Sequence, residues 1–419
     1  MNANRSVAWA LAPCVVSALL SGPWSARADG FRNPPPSASG LGSVGARYAL
    51  VEDVTASAYN PANLMEIKGP AFEFSLTAVL SDKDITSEGV IKTEVEEEWY
   101  LLPNIYAAQP IGDGRAVAGL AITTPFGQAT EFDQDSYFRY TAPYLAEMRA
   151  VNVGPVLAYR VNEKLDVAAG LNVMWSDLTL RQVYPWGLVL EDPSVPDGRA
   201  EFEGDGIGVG GSAALTWRPA TGHRVGLSYR SALDVDYEGD FRFSGIPAPG
   251  LALPRSDFDS TIKFPNIVGL GYGVDVTERL SLGVDLEWIE WSRYQELALD
   301  AGENSALLQP TVIPQDWDDA WNAGLGGVYK LDENWSARFG YIFLQTPVPD
   351  QTLLPALPEN DQHVVSVGLN FSRNGHRVNF AYAVGLYEDR DIDNNLNPAY
   401  NGKYEFISHI ASLSYGIEL

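Results

Sequence analysis

The chain has 419 residues and a formal net charge of −26, and hydrophobic residues make up 46 % of it. This hydrophobic content excludes a largely disordered chain. The excess of Asp and Glu excludes a nucleic-acid partner, because phosphate binding relies on Lys and Arg. Aromatic residues reach 11 %, a content that suits a protein with ring-rich membrane borders.

Residues 1–28 are predicted to be a secretory signal peptide. A basic start is followed by an apolar stretch, with Ala26 and Ala28 at the cleavage positions. Asp29 would then be the first residue of the mature chain. The removed segment contains the single cysteine, Cys14, so the exported chain would have no disulfide to stabilise it.

Residues 29–69 are predicted to form a plug in the lumen of a barrel. The segment is rich in Pro, Gly and Ala and shows little two-residue alternation. A disordered leader is the alternative interpretation. Apolar residues such as Leu41, Leu50 and Leu64 argue against it, because they can be buried on folding.

Residues 70–419 are predicted to form an all-β membrane domain. Many segments alternate strictly, as where Gly269 and Gly271 separate Val268, Leu270 and Tyr272, which is typical of a strand with two different faces. A soluble β-sandwich alternates as well. Recurrent Gly on the polar face would leave room in a lumen, and rings at strand ends would form the aromatic girdle of an outer-membrane barrel. Such rings are Trp175, Trp217, Trp288, Trp321 and Trp335.

Short turns alternate with long Pro-, Gly- and Asp-rich loops, as expected for the two rims of such a barrel. Six short turns pair twelve strands. A first strand near 70–80 and a last strand near 404–419 raise the number to fourteen. We therefore expect a 14-stranded antiparallel outer-membrane β-barrel with an N-terminal plug. The six turns are 109–114, 160–164, 218–222, 276–279, 330–334 and 373–376.

The predicted plug contains SGLGSVGARYALVEDVTASAYNPANLMEI, with Asn60, Pro61 and Ala62 directly before the first strand. This stretch resembles the N-terminal hatch of the FadL family of outer-membrane transporters. The resemblance continues in TTPFGQATEF, in FPNIVGLGYGVDVTERLSLGVDLEWIEWSRY and in TPVPDQTLLPALPENDQH, and so covers almost the whole mature chain. One departure is Leu419, because such barrels usually end in Phe.

The resemblance implies an outer-membrane protein of a Gram-negative bacterium that takes up long-chain fatty acids or other hydrophobic compounds passively. The ligand would land in an apolar groove among the loops and move to an inner site, and a movement of the hatch around residues 60–62 would release it. In this family the third strand kinks and opens the wall sideways. The matching residues here are Pro125, Phe126 and Gly127, although an ordinary strand end with a turn is the alternative.

A carboxylate ligand would need a cation. Arg230 and Arg338 alternate with the small residues, so they should point inward. The alternative is that they pair with lumen carboxylates such as Asp285 and Glu287, because an unpaired buried charge is costly. The candidate cations, taken from strand faces or ends, are Arg181, Arg338, Arg230 and Arg139.

The sequence contains no pattern typical of an enzyme. None of its four histidines stands in the spacing of a zinc protease or near a nucleophile elbow, and no cofactor or metal is expected. A run with Asp389, Asp391, Asp393 and Asn395 resembles part of a calcium loop but lacks its Gly and its closing Glu. A solvated loop is the expected interpretation.

Two other functions are weighed against transport of hydrophobic compounds. A general hydrophilic porin would need no plug. An outer-membrane lipid hydrolase would need a Ser–His pair, but the alternation places His409 on the opposite face from Ser408, Ser412 and Ser414. The expected partners are a hydrophobic ligand (a long-chain fatty acid or a hydrocarbon) and outer-membrane lipid, and the expected state is a monomer.

Overall fold

The computed structural model of this chain describes residues 30–87, 89–95, 99–308 and 312–419. The predicted signal peptide lies outside these residues. Within them, no helix is long and apolar enough to cross a membrane.

The described chain is built mainly of β-strands. They are β1 Ala71–Ser87, β2 Ile91–Glu94, β3 Trp99–Ile111, β4 Ala116–Thr123, β5 Gly127–Glu131, β6 Leu145–Asn162, β7 Leu165–Tyr184, β8 Gly198–Trp217, β9 His223–Arg230, β10 Leu233–Ser244, β11 Arg255–Phe264, β12 Ile267–Asp275, β13 Leu280–Ile289, β14 Glu296–Ala298, β15 Val312–Pro314, β16 Ala320–Lys330, β17 Trp335–Leu344, β18 Gln362–Arg373, β19 His376–Tyr387, β20 Arg390–Ile392 and β21 Gly402–Glu418.

The described helices are short. The α-helices are α1 Ala38–Gly42, α2 Arg47–Leu50 and α3 Trp186–Val189. The 3-10 helices are Val54–Ala58, Pro61–Glu66, Trp291–Arg293, Gly302–Leu307, Asp350–Thr352 and Pro398–Tyr400.

One antiparallel sheet of 19 strands forms the wall of a barrel. It closes on itself because β1 pairs with β3 on one side and with β21 on the other. The short strands β2 and β20 extend β1 and β21. Three wall strands are each interrupted and consist of β4 with β5, β9 with β10, and β11 with β12. The described wall therefore has fourteen strands, which confirms the predicted 14-stranded antiparallel barrel.

The two faces of the wall differ as the alternation predicts. On β12 the side chains of Leu270 and Tyr272 are exposed on the outside, and Gly269 and Gly271 face inward. All six predicted short turns join neighbouring strands. The tightest, between β18 and β19, has Asn374 at φ 52° and Gly375 at φ 79°, the positive values that a two-residue hairpin loop requires.

Each of the four histidines in the chain is bonded to a tyrosine on the outward face. This places the histidines in ring-rich borders of the wall, as expected for an aromatic girdle. The Nδ1–hydroxyl distances are 2.7 Å for His223 and Tyr272, 2.9 Å for His363 and Tyr341, 2.8 Å for His376 and Tyr415, and 2.7 Å for His409 and Tyr382.

The outward face of the wall has an apolar band, and some strands extend past the end of that band. Trp175 was expected at a strand end, but it lies within β7, which runs on to Tyr184. Before Trp175 the outward face of β7 carries Leu171 and Val173, and beyond it the same face carries Asp177 and Arg181. Charged side chains in that position belong in water rather than in lipid. The upper part of the wall therefore stands above the membrane.

The N-terminal segment, residues 30–70, lies inside the closed sheet. Helix α1 contacts β17, β18, β19 and β21, and α2 contacts β9, β12 and β13. The 3-10 helix Pro61–Glu66 contacts β6, β7 and β8. The N-terminal segment therefore packs against strands from several sides of the wall.

Glycines let the backbone of the N-terminal segment touch the wall directly. A Cβ on Gly45 would lie 2.2 Å from the backbone nitrogen of Leu325 and 2.2 Å from the carbonyl oxygen of Tyr341. From the wall side, a Cβ on Gly340 would lie 2.6 Å from the nitrogen of Val44. The inward glycines were predicted to leave room in a lumen, and the N-terminal segment occupies that room.

We predict that Gly45→Ala loosens the contact between the N-terminal segment and the wall while the barrel stays folded. The added methyl would meet two backbone atoms of the wall, which cannot move aside. Since overpacking of this kind costs about 1–3 kcal/mol, trypsin should cleave after Arg47 roughly tenfold faster. Limited proteolysis with mass spectrometry would measure the rate, and resistance to cold SDS would report on the barrel.

Gly211→Ala is the matched control, because the nearest atom to its added Cβ would be 3.8 Å away. An equal rate of cleavage after Arg47 in the two variants would show that the close approach at Gly45 does not hold the segment.

Candidate functional site

The third wall strand is broken between β4 and β5. Pro125 lies in the break, where it cannot donate a ladder hydrogen bond. Among the described strands, β4 pairs with both β3 and β6, whereas β5 pairs with β6 alone. The described part of the wall therefore lacks a ladder on the β3 side of β5.

The start of the N-terminal segment makes hydrogen bonds at this break. The backbone nitrogen of Gly127 donates to the carbonyl oxygen of Phe31 at 2.9 Å, and that of Asn33 donates to Pro125 at 3.0 Å. The side-chain nitrogen of Asn33 also donates to the carbonyl oxygen of Thr124 at 2.8 Å. The first described residues thus act as a short local strand beside the interrupted wall.

Two buried carboxylates on the inward face of β13 hold the N-terminal segment. Arg32 donates two hydrogen bonds to Glu287, at 2.7 and 2.9 Å. The backbone nitrogen of Arg47 donates to Asp285 at 2.6 Å, and its guanidinium lies 3.3 Å from Glu287. The hydroxyl of Tyr48 also donates to Glu287. Alternation had placed Asp285 and Glu287 inside, but Arg32 and Arg47 were not among the predicted site residues.

Arg230, unlike Arg32 and Arg47, is not bonded to Asp285 or Glu287. It ends β9 and lines a small cavity of about 70 Å³ together with Arg32, Arg47 and Tyr48. In the described part of the chain Arg230 forms no ion pair, although pairing with Asp285 or Glu287 was the alternative considered. Three arginines therefore share this cavity region with two carboxylates.

The other predicted cations lie elsewhere. Arg338 points inward and donates to the hydroxyl of Ser43 at 3.3 Å. Arg181 points outward, because Leu178 and Leu180 occupy the inward positions of β7, and it pairs with Glu201 at 3.1 Å. Arg139 lies in the loop before β6 and pairs with Asp197. Arg181 and Arg139 thus lie apart from the small cavity that Arg230 lines.

Asn60, Pro61 and Ala62 begin the 3-10 helix Pro61–Glu66. The side-chain oxygen of Asn60 accepts from the nitrogen of Ala62 at 3.2 Å, and its side-chain nitrogen donates to Thr216 of β8 at 2.9 Å. Pro61 occupies the first helical position, where its missing N–H costs nothing. The motif thus caps a helical turn and binds it to the wall.

Further ion pairs fix the N-terminal segment around the lumen. Asp53 lies 3.5 Å from Arg377, and Glu66 lies 3.2 Å from Arg160. Burial by itself would raise the pKa of Asp53, but the charges of Arg377 and Arg338 outweigh it and hold that pKa below its usual value. Asp53 is therefore ionised at neutral pH, as an ion pair requires.

A larger and mainly apolar cavity has a volume of about 810 Å³. Its lining includes Leu180 and Phe202 from the wall, Leu297 from β14 and Tyr140 from a loop. The ring of Phe31 also lines it. A volume of this size is typical of cavities that bind small ligands, and its surface suits a hydrophobic one.

We predict that Glu287→Gln loosens the start of the N-terminal segment. Breaking a buried ion pair from one side leaves the other charge uncompensated, at a cost of about 3–5 kcal/mol. Hydrogen–deuterium exchange should therefore rise by at least tenfold over residues 31–50. Glu201→Gln, which breaks the outward pair with Arg181, is the control and should change exchange little. Unchanged exchange in Glu287→Gln would contradict the anchoring role of this carboxylate.

Comparison with known proteins gives a family match over most of the chain. Residues 19–418 match the family model described as outer membrane protein transport protein (OMPP1/FadL/TodX). The chain is 25 % identical to the long-chain fatty acid transport protein of Escherichia coli O6:H1, over 94 % of this chain and 91 % of that one. It is 24 % identical to outer membrane protein P1 of Haemophilus influenzae, over 97 % of each.

Solved structures show the same fold. The crystal structure of a Pseudomonas aeruginosa FadL homologue covers 93 % of this chain and 99 % of its own, with a TM-score of 0.81 and 19 % identity. The toluene transporter TodX of P. putida covers 90 % of this chain and 99 % of its own, with a TM-score of 0.70 and 19 % identity. At these identities the likeness concerns the fold alone.

Proposed function

Because this chain belongs to the outer membrane protein transport family OMPP1/FadL/TodX, we propose that it carries long-chain fatty acids and related hydrophobic compounds passively through the outer membrane. Family membership and the closed barrel make it an outer-membrane transporter of a Gram-negative bacterium. Relatives named long-chain fatty acid transport proteins support the choice of substrate.

The observation that carries this proposal is Arg230, which has no ion pair among the described residues and lines a small cavity beside a larger apolar one. Phe31 lines the larger cavity, and Phe126, which touches Phe31, lines the small one with Arg230. An apolar cavity beside an arginine without an ion pair is complementary to an amphiphile with one carboxylate. A fatty acid would place its tail in the larger cavity and its carboxylate at Arg230.

The route is proposed to pass the N-terminal segment and the break at residues 125–127. As a plug, the segment fills the lumen, so the ligand passes only when it moves. Since β5 has no ladder toward β3 among the described strands, the break is the place where a hydrophobic ligand leaves sideways into the membrane. Water-filled diffusion, as in a general porin, does not suit an occupied lumen.

The lipid-hydrolase alternative is not favoured by the geometry. His409 faces outward and is bonded to Tyr382 at 2.7 Å. Ser408, Ser412 and Ser414 are buried on the opposite face of β21. No nucleophile–base pair can form between the two faces of one strand, and we propose that the chain is not an enzyme.

We predict that Arg230→Gln weakens oleate binding by the purified mature protein about 10- to 100-fold, because a hydrogen bond to a charged group contributes about 1.5–3 kcal/mol. Isothermal titration calorimetry in detergent would measure Kd. Arg181→Gln is the matched control, because Arg181 lies on the outward face of β7. This variant should bind oleate as tightly as the unmodified protein does. Equal Kd values in all three proteins would exclude Arg230 as the carboxylate site.

We predict that a cross-link between the N-terminal segment and the wall stops uptake. A Cβ on Gly326 would lie 3.2 Å from the Cβ of Ala46, close to the separation of about 3.8 Å in disulfides. The double variant Ala46→Cys with Gly326→Cys should lose oleate uptake when oxidised and regain it with dithiothreitol. Uptake would be measured in cells that lack their own fatty acid transporter.

Each single cysteine variant serves as a control for that experiment. The chain has one natural cysteine, Cys14, in the predicted signal peptide, so no other disulfide should form. Full uptake by the oxidised double variant would contradict a plug that must move.

A further inference from the structure

The outward face of β17, β18, β19 and β21 ends in a group of rings beside the turn that joins β18 to β19. The ring centroids of Trp335 and Phe371 lie 4.8 Å apart. Those of His376 and Tyr415 lie 6.1 Å apart, and the two rings are nearly parallel, with 26° between their planes. Short turns of this kind belong to the periplasmic side of such a barrel. These rings therefore form part of the periplasmic border of the apolar band.

An arginine lies on the same outward face, at the end of the ladder. Arg373 is the last residue of β18 and alternates with Ser372 in the same way as Leu369 and Phe371, so its exposed side chain leaves the wall at the border. Among the residues that the structure describes, its guanidinium forms no hydrogen bond and no ion pair. Cations at this position lie at the depth of lipid headgroups.

His376 supplies a second hydrogen-bond donor. Its Nδ1 lies 2.8 Å from the hydroxyl of Tyr415. When that hydroxyl donates to Nδ1, the proton of the neutral imidazole is on Nε2. Within the described chain Nε2 has no partner. Arg373 and His376 are directly opposite each other in the ladder, and the Cβ atoms of such residues are about 4.5–5.5 Å apart. Both side chains can therefore reach oxygens of one phosphate.

The hairpin that carries the two donors has no acid of its own. The chain contains 54 Asp and Glu residues, yet residues 362–387, which span β18 and β19, contain none. Asp332 and Glu333 belong to the turn before β17, where Asp332 accepts from the backbone nitrogen of Trp335 at 2.8 Å. Glu418 lies 3.8 Å from Arg377, which alternates inward. The outward face of the hairpin thus offers only positive charge and donors to the membrane.

We propose that Arg373 and His376 bind the phosphate of a phospholipid in the periplasmic leaflet. The lipid class is one whose headgroup has a phosphate and no amine, as in phosphatidylglycerol. A zwitterionic headgroup also brings an ammonium, and an ammonium gains a strong bond only from an acceptor such as a carboxylate, which this hairpin lacks. The acyl chains would lie along the exposed apolar residues next to the rings, Val378, Phe380 and Leu413.

The second histidine of this border has the same bond in different surroundings. His223 follows the short turn 218–222, and its Nδ1 lies 2.7 Å from the hydroxyl of Tyr272. The residue after His223 is Arg224, whose charge is compensated by Glu52 and Asp275. His223 therefore stands at the border beside a paired cation, and it provides a matched control for His376.

The test compares dioleoyl-phosphatidylglycerol with dioleoyl-phosphatidylethanolamine, which differ only in the headgroup. The mature protein, purified in detergent and freed of lipid, would be titrated with each lipid and its bound forms measured by native mass spectrometry. The unmodified protein should bind phosphatidylglycerol about fivefold more tightly, the factor that one Lys or Arg contributes near an anionic membrane surface. Arg373→Gln should remove this preference, and Arg373→Lys should keep it, because the charge is retained.

The histidine variants separate the site from the border as a whole. His376→Phe keeps a ring but removes the N–H donor, so it should reduce the preference roughly twofold, whereas His223→Phe should leave it unchanged. Oleate should bind to all these variants as it does to the unmodified protein, because the changes lie outside the lumen. Resistance to cold SDS would report on the barrel in each variant.

Equal affinity of the unmodified protein for the two lipids would overturn the proposal, with no variant needed. A preference that survives Arg373→Gln would overturn it as well, because the charge that selects the lipid would then lie elsewhere. An equal loss in His223→Phe and His376→Phe would show that phosphatidylglycerol binds to the border in general, and it would exclude a site at this hairpin.

Discussion

The interior of the barrel depends on the buried pair Asp285 and Glu287. Carboxylates buried inside a low-dielectric wall need cations or hydrogen-bond donors beside them, and for this pair both cations come from the N-terminal segment. Arg32 stands between the residues that bond to the broken third strand, so its ion pair fixes that contact. Arg47 begins α2 and precedes Tyr48, so its ion pair holds this helix against β13. One carboxylate pair thus positions two parts of the segment that are separated in sequence.

The same pair explains why β12 carries an inward glycine beside Tyr48. A Cβ on Gly269 would lie 2.0 Å from the ring of Tyr48, so the hydroxyl of Tyr48 reaches Glu287 only across a strand without a side chain. Glycine weakens a strand in a soluble sheet, but a closed barrel retains its ladders on both sides. The small residues therefore serve the fit of the N-terminal segment, and they do so without opening the wall.

The fold could be predicted from the sequence because its signals are local. Alternation around Leu270 and the Asn374–Gly375 turn depend only on neighbouring residues, and Pro125 marks a break wherever it stands in a ladder. The same rule could have placed Arg181 on the outside, since Leu180 beside it occupies an inward position. Arg32 could not be found in this way. It lies in a stretch without periodicity, and its partner Glu287 is 255 residues away.

The alternation of residues predicts which face of a strand a side chain occupies. It does not predict the position along the barrel axis, and so it does not show which inward side chains meet. Arg230 and Glu287 were both expected inside and were therefore candidates for one ion pair. In the structure Arg32 and Arg47 reach Glu287 instead, because a segment outside the ladder can adapt its position and a residue fixed in a strand cannot. Arg230 is left with an uncompensated charge for this reason.

Residues 31–33 join three interactions that a ligand would affect together. Phe31 packs against Trp291 and Trp317, Arg32 forms an ion pair with Glu287, and Asn33 makes a hydrogen bond to the broken strand. A ligand can shift a conformational equilibrium only by binding one state better than the other. A carboxylate at Arg230 would supply such a difference, because it would compete electrostatically with Glu287 for the nearby arginines. Release of Arg32 would then withdraw the hydrogen bonds of Phe31 and Asn33 from the wall. Binding of the charged end of a ligand would in this way be coupled to opening of the strand break through three consecutive residues.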